Sequence, residues 1–370
     1  MSLEFKVISE SPGWHRVEAL KDGKKVSWLS VPDLKLHYGT ASITVGGVAG
    51  VYTPREHRGR GYSAATLRYA VGWMKEQGYS LSALFGILEY YHRFGFATFM
   101  GEHTVTICLR NASRIEAEDL EWELSSDSSY ASQQIAEIYE QVNAAWPGAR
   151  VRDPSSWKGF RKGVAWEHPA KPLVLKRSGR VVAYAALERW PGPEELLVAE
   201  VGAAGHDRSL YRALARRLYG LALEERRSFI KIHVPPNHPF VDVVRPYGVK
   251  VESTYFWSGG GMARVINLAK LLNEMRLELE RRAAGIEGDL TLQVEGEAVT
   301  LRVRDGSVKI DMSAGSVNVV KLGPGEAAQL FLGYRDPVEV LVSSEVHGEP
   351  KLLTKLFPKA TPYVWQPDRW

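Results

Sequence analysis

Apolar residues recur along this chain at two different spacings, and the alternation between them divides it into segments. In the first segment, KKVSWLSV and ASITVGGVAGVY are rich in Val, Ile and aromatics and predict strands. Leu67, Ala70, Val71 and Met74 then fall on one face at the helical period, which predicts a helix with a single buried side ending at Gly78. YSLSALFG predicts the next strand, LEYYHRF a short helix, and TFMGEHTVTICLR a closing strand. SRIEAEDL and the serine-rich SSDSSYAS read as a boundary.

The second segment repeats this order. PLVLKRSGRVVAYAALERW predicts two strands joined at Ser-Gly, and ELLVAEVG a third. A helix follows with Leu210, Ala213, Leu214, Leu218 and Leu221 facing inward, then the strands FIKIHV and KVESTYFW. Arg93-Phe94-Gly95-Phe96 in the first segment is answered by Arg245-Pro246-Tyr247-Gly248-Val249 in the second, so the pair reads as an internal duplication of one α/β unit. A third segment opens after Gly259-Gly260-Gly261 with the helix NLAKLLNEMRLELERR. The strands TLQVEG, VTLRVRDG, SVKIDM and SVNVVKL follow, then the helix GEAAQLFLG and the ending PKATPYVWQPDRW. The expected organisation is α/β with mixed sheets, divided at residues 1–120, 121–262 and 263–370.

Composition narrows the possibilities. Of 370 residues, 45% are hydrophobic and 24% charged, as in ordinary globular proteins, and the net charge of +4 is spread without a basic tail or block. Nucleic acid is therefore not an expected partner. The opening MSLEFKVISE has no apolar core, so a signal peptide is not expected, and no run is long enough to span a membrane. The single cysteine, Cys108, excludes a disulfide within the chain and a Cys-rich zinc site, and fits a cytoplasmic location. His233 and His238 stand five apart with two prolines between them, so no metal is expected.

The stretch that carries chemistry is REHRGRGYSAATLRYAV. It leads from a strand, through Arg58-Gly59-Arg60-Gly61, into the helix. A helix N-terminus leaves about four N–H groups without intrahelical partners and carries partial positive charge, a geometry that accepts phosphate oxygens. Gly59 and Gly61 let the backbone approach closely, Arg58 and Arg60 add charge, and the small Ser63, Ala64 and Ala65 leave the first turn clear. The matching place in the second segment reads VGAAGHDRSL, where Asp207 would repel an anion.

The layout resembles the GNAT N-acetyltransferase superfamily, whose acetyl-CoA loop reads Gln/Arg-x-x-Gly-x-Gly/Ala. Here it is Arg58-Gly59-Arg60-Gly61-Tyr62-Ser63, with a serine at the final small position. Two GNAT-like segments, the second without the loop, followed by a sterol-carrier-protein-like segment and an aromatic C-terminal residue, resemble the Eis (enhanced intracellular survival) family. That resemblance covers nearly the whole chain. It implies transfer of acetyl from acetyl-CoA to a primary amine, either a small molecule or a lysine side chain, by direct attack, and assembly into a homo-oligomer.

It also implies roles for residues. Tyr91, in Tyr91-His92-Arg93-Phe94-Gly95-Phe96, takes the place of the tyrosine near the cofactor sulfur. A phenol near pKa ~10 is a competent donor to a departing thiolate. The α-carboxylate of Trp370 takes the place of the C-terminal group that reaches the first segment's site, with Asp368 a competing carboxylate. A donor to the thioester carbonyl is expected from a backbone N–H between Val51 and Thr53. The basic balance, with Arg369 beside the chain end, argues against a strongly cationic acceptor. A different reading stays open: a scaffold or hydrophobic-ligand protein built on the third segment, with the glycine loop a relic. The retention of that loop in one copy and its loss in the other favours the enzyme.

Overall fold

In the computed structural model, which describes residues 3–144, 146–313 and 315–370, the chain first lays down a meander. Strands β1 (Glu4–Ser11), β2 (Trp14–Lys21), β3 (Lys24–Tyr38) and β4 (Ala41–Tyr52) pair antiparallel in sequence order. Helix α1 (Tyr62–Glu76) then carries the chain to β5 (Leu81–Gly86), which lies parallel to β4, as a helical crossover requires. Leu67, Ala70 and Met74 of α1 are buried against the sheet, and Val71 packs at the rim of that core. A short 3₁₀ turn, Tyr91–Phe94, leads to the two-residue strand β6 (Ala97–Thr98).

The stretch expected to close this sheet does not do so. Its continuation, β7 (Glu102–Cys108), belongs to a second sheet, with β8 (Glu121–Leu124), β9 (Lys171–Arg177), β10 (Arg180–Leu187), β11 (Glu195–Ala203), β12 (Phe229–Ile232) and β13 (Lys250–Thr254). Helices α2 (Ser132–Asn143) and α3 (Arg208–Glu224) belong to this part, and the five expected positions of α3 are all buried. The chain then returns as β14 (Gly260–Val265), which fills the place beside β5. The two seven-stranded orders are β1-β2-β3-β4-β5-β14-β6 and β8-β9-β10-β11-β12-β7-β13. Each sheet has a parallel pair (β4/β5, β11/β12), and beside it a strand from the far side of the other sheet in sequence. The period-2 burial of β7 sets which side chains face inward, but not which sheet receives them.

A third, five-stranded sheet is formed by β15 (Gly288–Val294), β16 (Glu297–Arg304), β17 (Ser307–Asp311), β18 (Val319–Leu322) and β19 (Glu345–His347), with helices α4 (Leu268–Arg282) and α5 (Pro324–Phe331). By its contacts the chain forms two compact units. Unit 1 comprises residues 1–100, 256–362 and 370, and unit 2 comprises residues 101–255 and 363–369. The third sheet thus belongs with the first. Its helix α4 places Glu274 to accept from Thr44 N (2.9 Å) and Thr44 Oγ1 (2.8 Å), and the buried Glu278 to accept from Thr40 N (3.1 Å). These bonds occupy backbone and hydroxyl donors on and before β4 that would otherwise lack partners.

Candidate active site

β4 and β5 pair only from Val45/Leu81 to Val48/Leu84, although β4 continues to Tyr52 and β5 to Gly86. Past that point the two strands are no longer partners. On the β4 side, Ser27 Oγ donates to Tyr52 O (3.1 Å) and lies 2.9 Å from Thr53 Oγ1. Arg58 Nε donates to Thr53 O (3.0 Å), which ties the loop to the strand that precedes it. Val51 packs at the rim of the unit 1 core.

The loop itself is open. Gly59 and Gly61 take φ of +73° and +78°, a left-handed backbone that favours glycine, and a Cβ at either would meet nothing within 4 Å. Gly61 is the N-cap of α1 and no side chain caps the helix, so the first-turn N–H groups are left to solvent or a ligand. Tyr62 begins the helix largely buried, with Lys21 and Arg60 close enough to its hydroxyl to hold the phenol below its usual range. Ser63 accepts from Tyr90 Oη (2.8 Å), which joins the first helical turn to the 3₁₀ segment.

Tyr91 packs among Phe94, Phe96 and Met262, with Tyr90 edge-on at 5.0 Å. Burial, and secondarily Tyr90, pushes its phenol above the ordinary value, so it stays protonated near neutral pH. Its hydroxyl makes no hydrogen bond among the described residues. Trp370 lies on the same strand from another direction. Its indole N–H donates to Ala83 O (3.2 Å), its ring meets Phe85 edge-on at 5.1 Å, and only 7% of its surface is exposed. Tyr91 and Trp370 therefore both lean on the last four residues of β5. A contact path runs from Ser63 through Tyr90, Tyr91, Gly86 and Phe85 to Trp370.

Two glycines matter here that the sequence reading passed over. A Cβ on Gly47 would come within 2.7 Å of Trp370 Nε1, and one on Gly86 within 2.4 Å of Tyr91 Cδ2. The Gly46-Gly47 pair inside a strand pattern was the available signal, because glycine in a strand interior marks close approach. Tyr90 and Phe85 carried no such mark.

In unit 2, Asp207 is the N-cap of α3 and accepts from Ser209 N (2.7 Å) and Leu210 N (3.4 Å), so this helix start is already occupied by a carboxylate. Asp368 is buried and accepts from Arg152 (3.0 and 2.9 Å) and Tyr139 Oη (3.0 Å), which leaves it no role as a free base. His233 bonds Gln366 and His238 caps a short helix, and burial lowers each to about 3. Among the described residues no group of three or more His, Cys, Asp or Glu is arranged to hold a metal, and no helix is long and apolar enough to cross a membrane.

Comparison with known proteins agrees with this geometry. Residues 11–99 match the family described as Acetyltransferase (GNAT) domain. No curated protein matches the sequence. The fold is similar to that of a probable N-acyltransferase from Enterococcus faecalis (TM-score 0.77, 16% identity, 97% of this chain and 90% of that one). It is similar to a GCN5-related N-acetyltransferase from Kribbella flavida (TM-score 0.72, 18% identity, 96% and 87%). It is also similar to Eis1 from Mycobacterium abscessus (TM-score 0.69, 16% identity, 96% and 90%). Residues 11–99 thus match an acetyltransferase domain of the GNAT type, within a mixed α/β fold similar to that of Eis1.

Proposed function

We propose that this protein is an N-acetyltransferase that uses acetyl-CoA, bound once per chain at residues 58–63, to acetylate a primary amine by direct attack. The observation that carries the proposal is the uncapped start of α1, with open space at both glycine Cβ positions and cationic side chains at Arg58, Arg60 and Lys21. The N–H groups of Tyr62, Ser63 and Ala64 would hold pyrophosphate oxygens. Backbone N–H groups between Val51 and Thr53 would polarise the thioester carbonyl.

In the reaction the neutral amine forms a C–N bond to the carbonyl carbon, and the C–S bond breaks. Tyr91 gives its proton to the departing thiolate, a role supported by burial that keeps the phenol protonated. The proton lost from nitrogen passes, through water, toward the carboxylate of Trp370. On this reading the third sheet belongs to a sterol-carrier-like segment and the protein acts as a homo-oligomer in the cytoplasm. The sterol-carrier likeness and the oligomer rest on the family resemblance, and the cytoplasmic location on the single cysteine.

Isothermal titration with acetyl-CoA tests the core of the proposal. One site per chain, followed by thiol release when an amine library is added, is expected. Absence of binding, or two sites per chain, would overturn it.

A further inference from the structure

Tyr91 sits on a segment with little structure of its own. The 3₁₀ turn Tyr91–Phe94 is a single turn ended by Gly95 at φ +75°, and β6 after it has two residues. A helix end leaves carbonyls without intrahelical partners, and a buried one needs a donor from elsewhere. Phe94 is buried, and its carbonyl accepts from Arg264 Nη1 of β14 at 2.5 Å.

Arg264 is 6% exposed. Its Nη2 pairs with Glu295, in the turn between β15 and β16, and its guanidinium lies 6.0 Å from the ring centre of Phe96. Phe94 and Phe96 are residues that Tyr91 packs among. On the other side of the turn stands α5, because a Cβ on Gly95 would come within 2.7 Å of Pro324 Cγ and 3.2 Å of Arg264 Nη1. β14 brings Arg264 to this place by pairing with β5 from Gly260/Gly86 to Val265/Leu81 and with β6 at Met262/Thr98 and Ala263/Ala97. All of these residues belong to unit 1.

A buried ion pair adds little net stability, because removing the charges from water offsets their attraction; its better-attested use is to select one arrangement over its neighbours. The like strand of unit 2 shows that the sheet itself does not need an ion here. Val265 stands opposite Leu81, the first β5 residue paired with β4, and Cys108 stands opposite Phe229, the first β12 residue paired with β11. Arg264 and Ile107 therefore hold the same register position, opposite Ser82 and Ile230, and Ile107 is a buried apolar residue. The charged residue occurs in the copy whose turn buries a tyrosine.

We propose that Arg264 is a positioning residue for acetyl transfer: by holding Phe94 O and packing on Phe96 it fixes the Tyr91–Phe94 turn, and with it the direction of the Tyr91 hydroxyl. The proposal rests on the acetyltransferase reading above, with Tyr91 as the proton donor.

Arg264→Met removes the fork and leaves an unbranched apolar chain. Amide hydrogen exchange over residues 92–98 should speed up, while exchange in β2 and β3 stays at the wild-type rate. The kcat should fall by about 10²-fold, the cost of a misplacement of about 1 Å, with acetyl-CoA affinity and KM unchanged. The double variant separates positioning from mere structure. Because Arg264 acts through Tyr91, Arg264→Met combined with Tyr91→Phe should be no slower than Tyr91→Phe alone, whereas a merely structural role would multiply the two losses. Arg264→Lys keeps a charge near Glu295 without the fork. It should show the same pattern to a smaller degree, and it decides the matter where the methionine variant does not fold. Multiplied losses, an unchanged kcat, or a turn that exchanges at the wild-type rate would each overturn the proposal. A wild-type protein that binds acetyl-CoA and acetylates no amine would sink the acetyltransferase reading and the catalytic half of this proposal, while the exchange measurement still decides whether Arg264 holds the turn.

Discussion

At the start of α1 the N-cap is Gly61, which offers no side chain; at the start of α3 it is Asp207, whose carboxylate accepts from two backbone N–H groups. Each helix connects the two strands of a matching parallel pair, β4/β5 and β11/β12, and each pair runs for four residues. One helix start is available to an external anion, while the other has an internal one. One part of the difference is the residue at the same point of two like folds: it leaves the start of α1 uncapped and caps that of α3. A second contrast lies in the 3₁₀ turn that follows each next strand. Tyr91 is buried against Gly86, whereas Tyr247, in the matching 3₁₀ turn of unit 2, is not buried.

The largest expected effect on this contrast comes from the tyrosines. Tyr91→Phe should lower kcat by about 10²–10⁴-fold, the usual cost of losing a general acid, with acetyl-CoA affinity retained. Tyr247→Phe should leave kcat unchanged, and equal rates in the two variants would remove the distinction between the copies.

Next comes Gly61→Asp, which would give α1 the arrangement that α3 already has. Replacing two charge-assisted hydrogen bonds of about 1.5–3 kcal/mol each should weaken acetyl-CoA binding by about 10²-fold or more in a titration. Undiminished binding would mean that the helix start is not the site.

The reciprocal change is smaller. Asp207→Ala should cost about 1 kcal/mol of stability in a denaturant melt, the ordinary loss of an N-cap, and should not create a second acetyl-CoA site, because the arginines and glycines of the loop are absent there. A second site in that variant would show that the cap alone had closed it.

The last change lies outside the comparison and serves as its control. Burial raises the Glu278 carboxyl, but hydrogen bonds from Arg281, Thr40 N–H and Arg282 outweigh it and hold the group at about 2. A depressed folded-state value means its contribution is complete above the unfolded carboxylate range, near pH 4.5, and is lost as the pH falls toward 2. Glu278→Gln should therefore flatten the acid limb of a stability-versus-pH curve, and an unchanged limb would refute the assignment.

Much of this was legible in the sequence because it rests on local chemistry. The R-G-R-G run, the small residues after it and the helical period at Leu67, Ala70 and Met74 report on single elements. The strand exchange was not legible: alternation fixes which face of β7 is buried and is silent on whether its ladder partner is β5 or β12. Nor was the commitment of Asp368, since a carboxylate near the chain end reads alike whether it meets solvent or Arg152. Gly47 and Gly86 stood in plain view, but their meaning depends on Trp370 and Tyr91, which lie far away in sequence or across a turn.

The exchanged strands set a condition on how the protein is made. β5 receives its neighbour β14 only after about 160 further residues have been synthesised beyond β6. At roughly 5–20 residues per second that delay is about 8–30 s, during which the Leu81–Gly86 edge has no partner of its own. An open apolar edge is a template for pairing with other chains. A ribosome paused between residues 100 and 260 would therefore hold a nascent chain whose first sheet is seeded but incomplete, and a gene cut at residue 120 would encode that same unfinished sheet permanently.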